Sequence, residues 1–185
     1  MRGYSLVVYR PFGPLSVAWG DSEPVPWGAA HHVTMRRRFG HTVGIAVLAE
    51  DLPEAVNRIE LDPSAKDSNG IAAPRVTYRA SDNTLRMLKH GVNAARQVLE
   101  AAGAVQIMDA ERIGNFAHYM GTARMGQRAS TSVVDAWNRA HDVPNLFIVD
   151  GSSFTTCAGV NPTSTIGALA LRCADGIWER RSDWI

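Results

Sequence analysis

Two short stretches of this chain hold residue types that could do chemistry. The first, FAHYMGTARMG at 116–126, sets one histidine, His118, against a glycine-bearing run. The second, NPTST at 161–165, is punctuated like a helix start. Asn161 is a good N-cap residue there and Pro162 suits the first helical position. Imidazole exchanges a proton near neutral pH, which makes His118 a candidate general base. A lone histidine is more often a satisfied structural residue, and His118 on its own does not decide between the two. A helix N-terminus carries free N–H groups and about half a positive charge. Thr163 and its neighbours therefore suit an anion, or a ring that becomes one. Just upstream, the apolar run 146–149 ends in Asp150-Gly151. The ends of such strands and the starts of such helices face one crevice, and Gly151 would let backbone approach a ligand. An ordinary well-capped helix after a strand reads the same way.

The other candidates are weaker. His31-His32, His41, His90 and His141 share no HxH or HExxH spacing, so no metal site is indicated. His31-His32 lie next to a Trp-bearing loop and are candidates to line a pocket. His90 falls off the apolar stripe of its helix, and His141 sits in a turn. Cys157 and Cys173 form no C-x-x-C pair and no disulfide framework. Both read as small buried apolar residues. GTARMG lacks the Gly-Lys-Ser/Thr ending of a phosphate loop, and the chain has no G-x-G-x-x-G. Arg36-Arg37-Arg38 reads as a solvated turn rather than an anion site.

The elements that must hold these residues follow from periodicity and turn chemistry. YSLVVY (4–9), HTVGIAVLAE (41–50), NRIELD (57–62) and RVTYRA (75–80) read as strands. Turn-rich segments join them, which suggests an antiparallel sheet. Residues 11–32 read as an irregular loop that shelters Trp19 and Trp27. From Asp82 to Ala102 the apolar residues Leu85, Leu88, Val92, Ala95 and Leu99 recur at helical spacing. Ser81 can cap that helix and Gly103 can end it. AVQIMD (104–109) reads as a short strand. Residues 146–149 read as a strand covered on both faces. The last helix carries Ile166, Leu169, Ala170, Cys173 and Ile177 on one stripe.

The totals exclude little but point consistently. The chain has 185 residues, 45% hydrophobic and 20% charged, with a formal net charge of +1. That balance gives no electrostatic case for nucleic acid. No apolar run reaches the roughly 18 residues that span a membrane. The opening MRGYSLVVYRPFGP has too short an apolar patch for a secretory leader. It opens directly on a strand pattern, as the middle of a domain does, so Met1 is not expected to begin a complete protein. The compartment stays open between cytoplasm and periplasm.

Taken together, HYMGTARMG (118–126), SVVDAWNRAHDVPNLFIVDGSSF (132–154) and NPTSTIGALALRCAD (161–175) resemble the C-terminal part of the glucose–methanol–choline (GMC) oxidoreductases. Upstream, GIAVLAEDLPEAVNRIELDP (44–63) and APRVTYRASDN (73–83) are similar to that family's substrate-domain strands. The resemblance implies an FAD enzyme that oxidises a CH–OH group of an alcohol, polyol or sugar, with hydride passing to flavin N5. It implies that His118 is the base for the substrate hydroxyl. Asn161 would be the second catalytic group, orienting the hydroxyl or alkoxide without taking its proton. Asp150 and Gly151 match positions near the cofactor's ribityl chain and pyrophosphate. Asn161, Pro162 and Thr163 match the helix start that favours negative charge on the reduced flavin.

The implied fold class is α+β. Residues 1–130 would form part of an antiparallel-sheet substrate domain with a flanking helix, carrying the His118 segment. Residues 131–185 would supply a strand–loop–helix completing an FAD-binding α/β domain. The family's N-terminal FAD-binding half has no counterpart in this sequence, so the expectation is that it is supplied in cis or in trans. The alternative is a non-catalytic remnant, or a complementing subunit packed on a partner chain.

Overall fold

The computed structural model describes residues 3–10, 13–19, 25–108 and 118–183. The chain forms two compact units, one from residues 1–49 and 86–115, the other from 50–85 and 116–185. The mixed helices and small antiparallel sheets make the class α+β.

In the first unit, β1 (Tyr4–Tyr9) pairs antiparallel with β2 (Gly44–Ala49), Tyr4 opposite Ala49 and Tyr9 opposite Gly44. Between them in sequence lie α1 (Pro14–Trp19) and α2 (Ala29–Arg38). The irregular loop expected over 11–32 is thus partly helical. The prolines and glycines end at Gly28, and Ala29–Arg38 contains neither, so nothing there breaks a helix. Arg36-Arg37-Arg38 form the last turn of α2 rather than a free turn. Their charge complements the negative end of the helix dipole. Trp27 is not sheltered: it is 85% exposed, its ring stacked on His31 at 5.4 Å between centroids.

The helix α3 (Asp82–Ala101) flanks this pair of strands. It reaches them through Gly91, where a Cβ would stand 2.5 Å from Val47 Cγ1 and 3.2 Å from the Tyr4 ring. Tyr4 Oη lies 2.7 Å from His90 Nδ1 beside that contact. Both ends of α3 are punctuated as expected. Ser81 Oγ accepts the Thr84 N–H at 3.2 Å. At the other end Gly103 takes φ +81. There the Ala104 N–H reaches Leu99 C=O and the Gly103 N–H reaches Glu100 C=O, a paired C-terminal closure. The strand expected at 104–109 does not form over the described residues 104–108. Val105 is 92% exposed there, and among the described residues no strand pairs with it.

In the second unit, β3 (Arg58–Lys66) and β4 (Ala72–Thr77) make a separate antiparallel hairpin. The four strands therefore form two pairs and not one sheet. The turn-rich segment between them is mostly strand. Its turn chemistry acts at two points only. Asp62 Oδ1 accepts the N–H groups of Ser64 and Ala65 where the register slips. Asp67 Oδ1 accepts those of Asn69 and Ile71 at the tip.

The strand expected at 146–149 is reduced to one bridge, Arg139 to Phe147, with Leu146 and Val149 exposed. The chain over 125–147 folds back on itself through further bridges, Met125 to Val134 and Val134 to Ala140. Val134 and Asn138 are fully buried within it. Asn138 stands at φ +63, a left-handed position that asparagine tolerates better than most residues. Its Nδ2 donates to Ile148 C=O at 2.7 Å. Asp135 Oδ1 prepares that turn by accepting the N–H groups of Trp137 and Arg139.

The helix α4 (Thr163–Glu179) docks on this ribbon through Trp137. Its buried residues are Cys173 and Gly176. The Trp137 ring lies under two guanidinium groups, Arg172 at 4.2 Å and Arg180 at 4.8 Å. Arg172 Nη1 also donates to Ala136 C=O at 2.6 Å. Gly176 supplies the room, since a Cβ there would stand 2.8 Å from Trp137 Cε3. Alanine normally favours a helix over glycine by about 1 kcal/mol. Gly176→Ala should instead destabilise the fold by roughly 1–3 kcal/mol, because the clamped ring must shift. Urea unfolding measures the difference, and stabilisation by the alanine would contradict this packing.

Candidate active site

His118, Asp150, Gly151, Asn161, Pro162 and Thr163 all lie in the second unit. Main-chain pairing brings them together. The Gly121 N–H donates to Gly151 C=O at 3.3 Å, Ala123 to Ser152 at 2.9 Å and Met125 to Ser153 at 2.8 Å. The segment after His118 therefore runs alongside the turn after Asp150. Gly121 sits at φ +85, and a Cβ there would stand 3.2 Å from Phe154 O. Backbone conformation and space both call for glycine at that point.

Gly151 is the junction. It is buried at the head of a 3-10 turn, Gly151–Ser153. A Cβ on it would meet Met120 Cγ and Ile166 Cδ1 at 3.4 Å and Tyr119 O at 3.5 Å. Two of these neighbours directly follow His118, and the third is in the first turn of α4. One small residue is thus shared by the three segments that the sequence singled out.

Around that junction His118, Asp150, Asn161 and Thr163 are exposed and Pro162 is half-buried. Among the described residues no hydrogen bond joins the His118 and Asn161 side chains. Asn161 does not act as the N-cap. Pro162 occupies that place at φ −89 and ψ −5, with no side-chain cap. The proline displaces Asn161 one residue outward and leaves its amide exposed. The first bond of α4 runs from the Ile166 N–H to Pro162 C=O. The N–H groups of Thr163, Ser164 and Thr165 thus have no intrahelical partner, and all three residues are exposed.

Asp150 caps the 3-10 turn. Its Oδ1 accepts from both the Ser152 N–H and the Ser152 hydroxyl. Those two bonds, the hydroxyl first, hold its carboxyl below the usual carboxylate range. Sequence reading overlooked Ser152, although an Asp-x-Ser spacing signals such a turn. Asp150 Oδ2 remains open toward solvent among the described residues. His141, read as a plain turn residue, ties the ribbon: its Nε2 lies 3.0 Å from Ser132 Oγ and 3.2 Å from Gly126 O.

These features suit a flavin. Free amides on α4, an unused carboxylate oxygen on Asp150 and a residue without Cβ between them fit a ring that gains negative charge and a hydroxylated chain. Among the described residues, no three His, Cys, Asp or Glu side chains are grouped to hold a metal ion. Nor is any described helix long and apolar enough to cross a membrane.

Residues 53–170 match the C-terminal domain of the GMC oxidoreductases. The chain belongs to that family. Among its relatives is the 2-methyl-1,2-propanediol dehydrogenase of Mycolicibacterium austroafricanum, 41% identical over 187 residues, covering 99% of this chain and 34% of that protein. Another is the paromamine 6'-oxidase of Streptomyces fradiae, 37% identical, covering 72% of this chain and 25% of that protein. The chain thus spans about a third or less of the relatives' length. In fold it is similar to pyridoxine 4-oxidase from Mesorbium loti, with a TM-score of 0.55, 18% identity, and coverage of 73% of this chain and 29% of that one.

The local role of Asp150 gives a pH test. Its carboxyl is held lower in the folded chain than in the unfolded one, so the ionised form favours folding. That contribution is present above about pH 4, the unfolded value, and is lost as pH falls through the lower folded value. The stability gap between the wild-type chain and Asp150→Asn should therefore shrink as unfolding is measured at progressively lower pH. A gap that widened in acid would contradict the assignment.

Proposed function

We propose that this GMC chain carries the substrate side and the catalytic pair of an FAD-dependent oxidoreductase acting on a CH–OH group of an alcohol, polyol or sugar. The observation that carries the reading is the convergence at Gly151 of the His118 segment, the Asp150 turn and the first turn of α4. The names of the relatives, a propanediol dehydrogenase and a paromamine 6'-oxidase among them, support this substrate class.

FAD, when bound, supplies the acceptor for the hydride that leaves the substrate carbon. This chain's residues do the rest. His118 takes the hydroxyl proton on an imidazole nitrogen as the carbonyl forms. Asn161, exposed and free of any capping bond, orients the hydroxyl through its amide. The amides of Thr163, Ser164 and Thr165 hold the cofactor's anionic edge. Pro162 fixes the start of the helix, Asp150 Oδ2 accepts a cofactor hydroxyl, and Gly151 gives the clearance.

Exposed apolar rows support the second part of the reading, that a further FAD-binding half covers this chain in cis or in trans. Leu61 and Val76 on the hairpin are 74% and 60% exposed, and Leu171 on α4 is 71% exposed. Such rows are uncommon on a free surface and mark packing against more protein.

In flavin-loaded enzyme containing this chain, His118→Ala should lower alcohol turnover by roughly 100-fold or more, with the bound-flavin absorption spectrum retained. Turnover equal to wild type would remove His118 from the chemistry. Loss of flavin instead of turnover would make it a cofactor ligand.

A further inference from the structure

Asp51 draws three separate segments of the second unit to itself. Its Oδ2 accepts the Tyr78 hydroxyl at 2.6 Å, just past the end of β4. Its Oδ1 accepts the Thr84 hydroxyl at 2.7 Å, in the first turn of α3. Thr84 is buried, and its hydroxyl also lies 3.1 Å from Ser81 Oγ, the cap of that helix. With both carboxylate oxygens held, the orientation of the whole residue is set. The main chain of Asp51 then faces Cys157. The Asp51 N–H donates to Cys157 Sγ at 3.0 Å, and the Cys157 thiol donates to Asp51 C=O at 3.2 Å. Cys157 is therefore more than the small apolar filler its sequence context suggests. One sulfur serves as acceptor and donor to a single residue 106 positions away.

Cys157 lies in the loop 154–162, between the Asp150 turn and the start of α4. Asn161 ends that loop with its side chain exposed. We propose that Asp51 is a positioning residue: by gripping Cys157 it fixes the loop that presents Asn161, and so sets where the substrate hydroxyl is held. This rests on the reading that Asn161 orients that hydroxyl. Tyr78 is suited to its part. Burial first, then the hydrogen bond and charge of Asp51, raise its phenol above the ordinary range, with smaller contributions from Cys157 and Tyr119. It thus stays a donor at any working pH.

The test uses flavin-loaded enzyme containing this chain, and compares Cys157→Ala, Cys157→Ser and Asp51→Asn. Serine keeps one donor and one acceptor, whereas alanine keeps neither. Asparagine keeps one carbonyl oxygen where two hydroxyls need acceptors. Cys157→Ala and Asp51→Asn should each lower kcat/KM about tenfold, a displacement-sized effect. Flavin content and spectrum should be unchanged, and Cys157→Ser should recover most of the loss. Values within twofold of wild type for both variants would overturn the proposal. So would an equal loss in Cys157→Ser and Cys157→Ala accompanied by lost flavin, which marks a purely structural contact. Should Asp51→Asn not fold, Tyr78→Phe removes a single donor and should shift kcat/KM in the same direction by less. Its having no effect, with Cys157→Ala also neutral, would again overturn the proposal. His118→Ala separates the two levels. If it too is neutral, the catalytic reading fails. If it abolishes turnover while the network variants are neutral, only the role of Asp51 fails.

Discussion

The second unit depends on one constraint: a glycine, Gly121, must let two main chains lie side by side. Among the described residues, three hydrogen bonds from 121–125 to 151–153 pair the His118 segment with the Asp150 turn. Each such bond nets only about 0.5–1.5 kcal/mol. Their consequence is geometric more than energetic. Gly121 supplies the left-handed backbone that opens the ladder, and Gly151 stands at its head. A Cβ at Gly151 would stand in van der Waals contact with Met120, Ile166 and the Tyr119 carbonyl, so this one position touches both the histidine segment and the helix start.

Around this ladder the unit is held by polar and π contacts at defined points. Among the described residues, the largest fully buried side chains are small or polar: Val134, Asn138 and Ser153. α4 is anchored by a tryptophan held under two arginines and fitted over a glycine. Cation–π contacts of this kind contribute about 0.5–2 kcal/mol each. Elsewhere in the unit, Asp51 gathers Tyr78, Thr84 and Cys157. The loop bearing Asn161 thus has the Asp150 turn at one end, α4 at the other and Asp51 gripping its middle. A hydroxyl-orienting amide needs such support, because misplacement by about 1 Å is costly in rate.

Much of this was legible in the sequence wherever local chemistry decides local structure. The caps of α3 at Ser81 and Gly103 follow from residue type alone, as does β1. The site segments were found because three ordered motifs stand in a family pattern, not because periodicity pointed to them. The two missed strands share one physical origin. The apolar run 146–149 and the AVQIMD stretch look like strands, but strand pairing is non-local, and among the described residues no neighbouring strand extends them. Asn161 has the identity of a cap, but Pro162 takes the position. The Asp51 network left no trace in the sequence, since its partners lie 27, 33 and 106 positions from Asp51 and make no motif.

The central claim is that His118 and Asn161 serve one substrate hydroxyl, although they are held by different segments. A double-mutant cycle tests it most directly: kcat/KM of flavin-loaded enzyme with His118→Ala, with Asn161→Ala, and with both. Groups acting on the same hydroxyl are coupled, so the double variant should lose far less than the product of the single losses. Fully multiplicative losses would contradict a shared site at Gly151 and would place the two residues in separate roles.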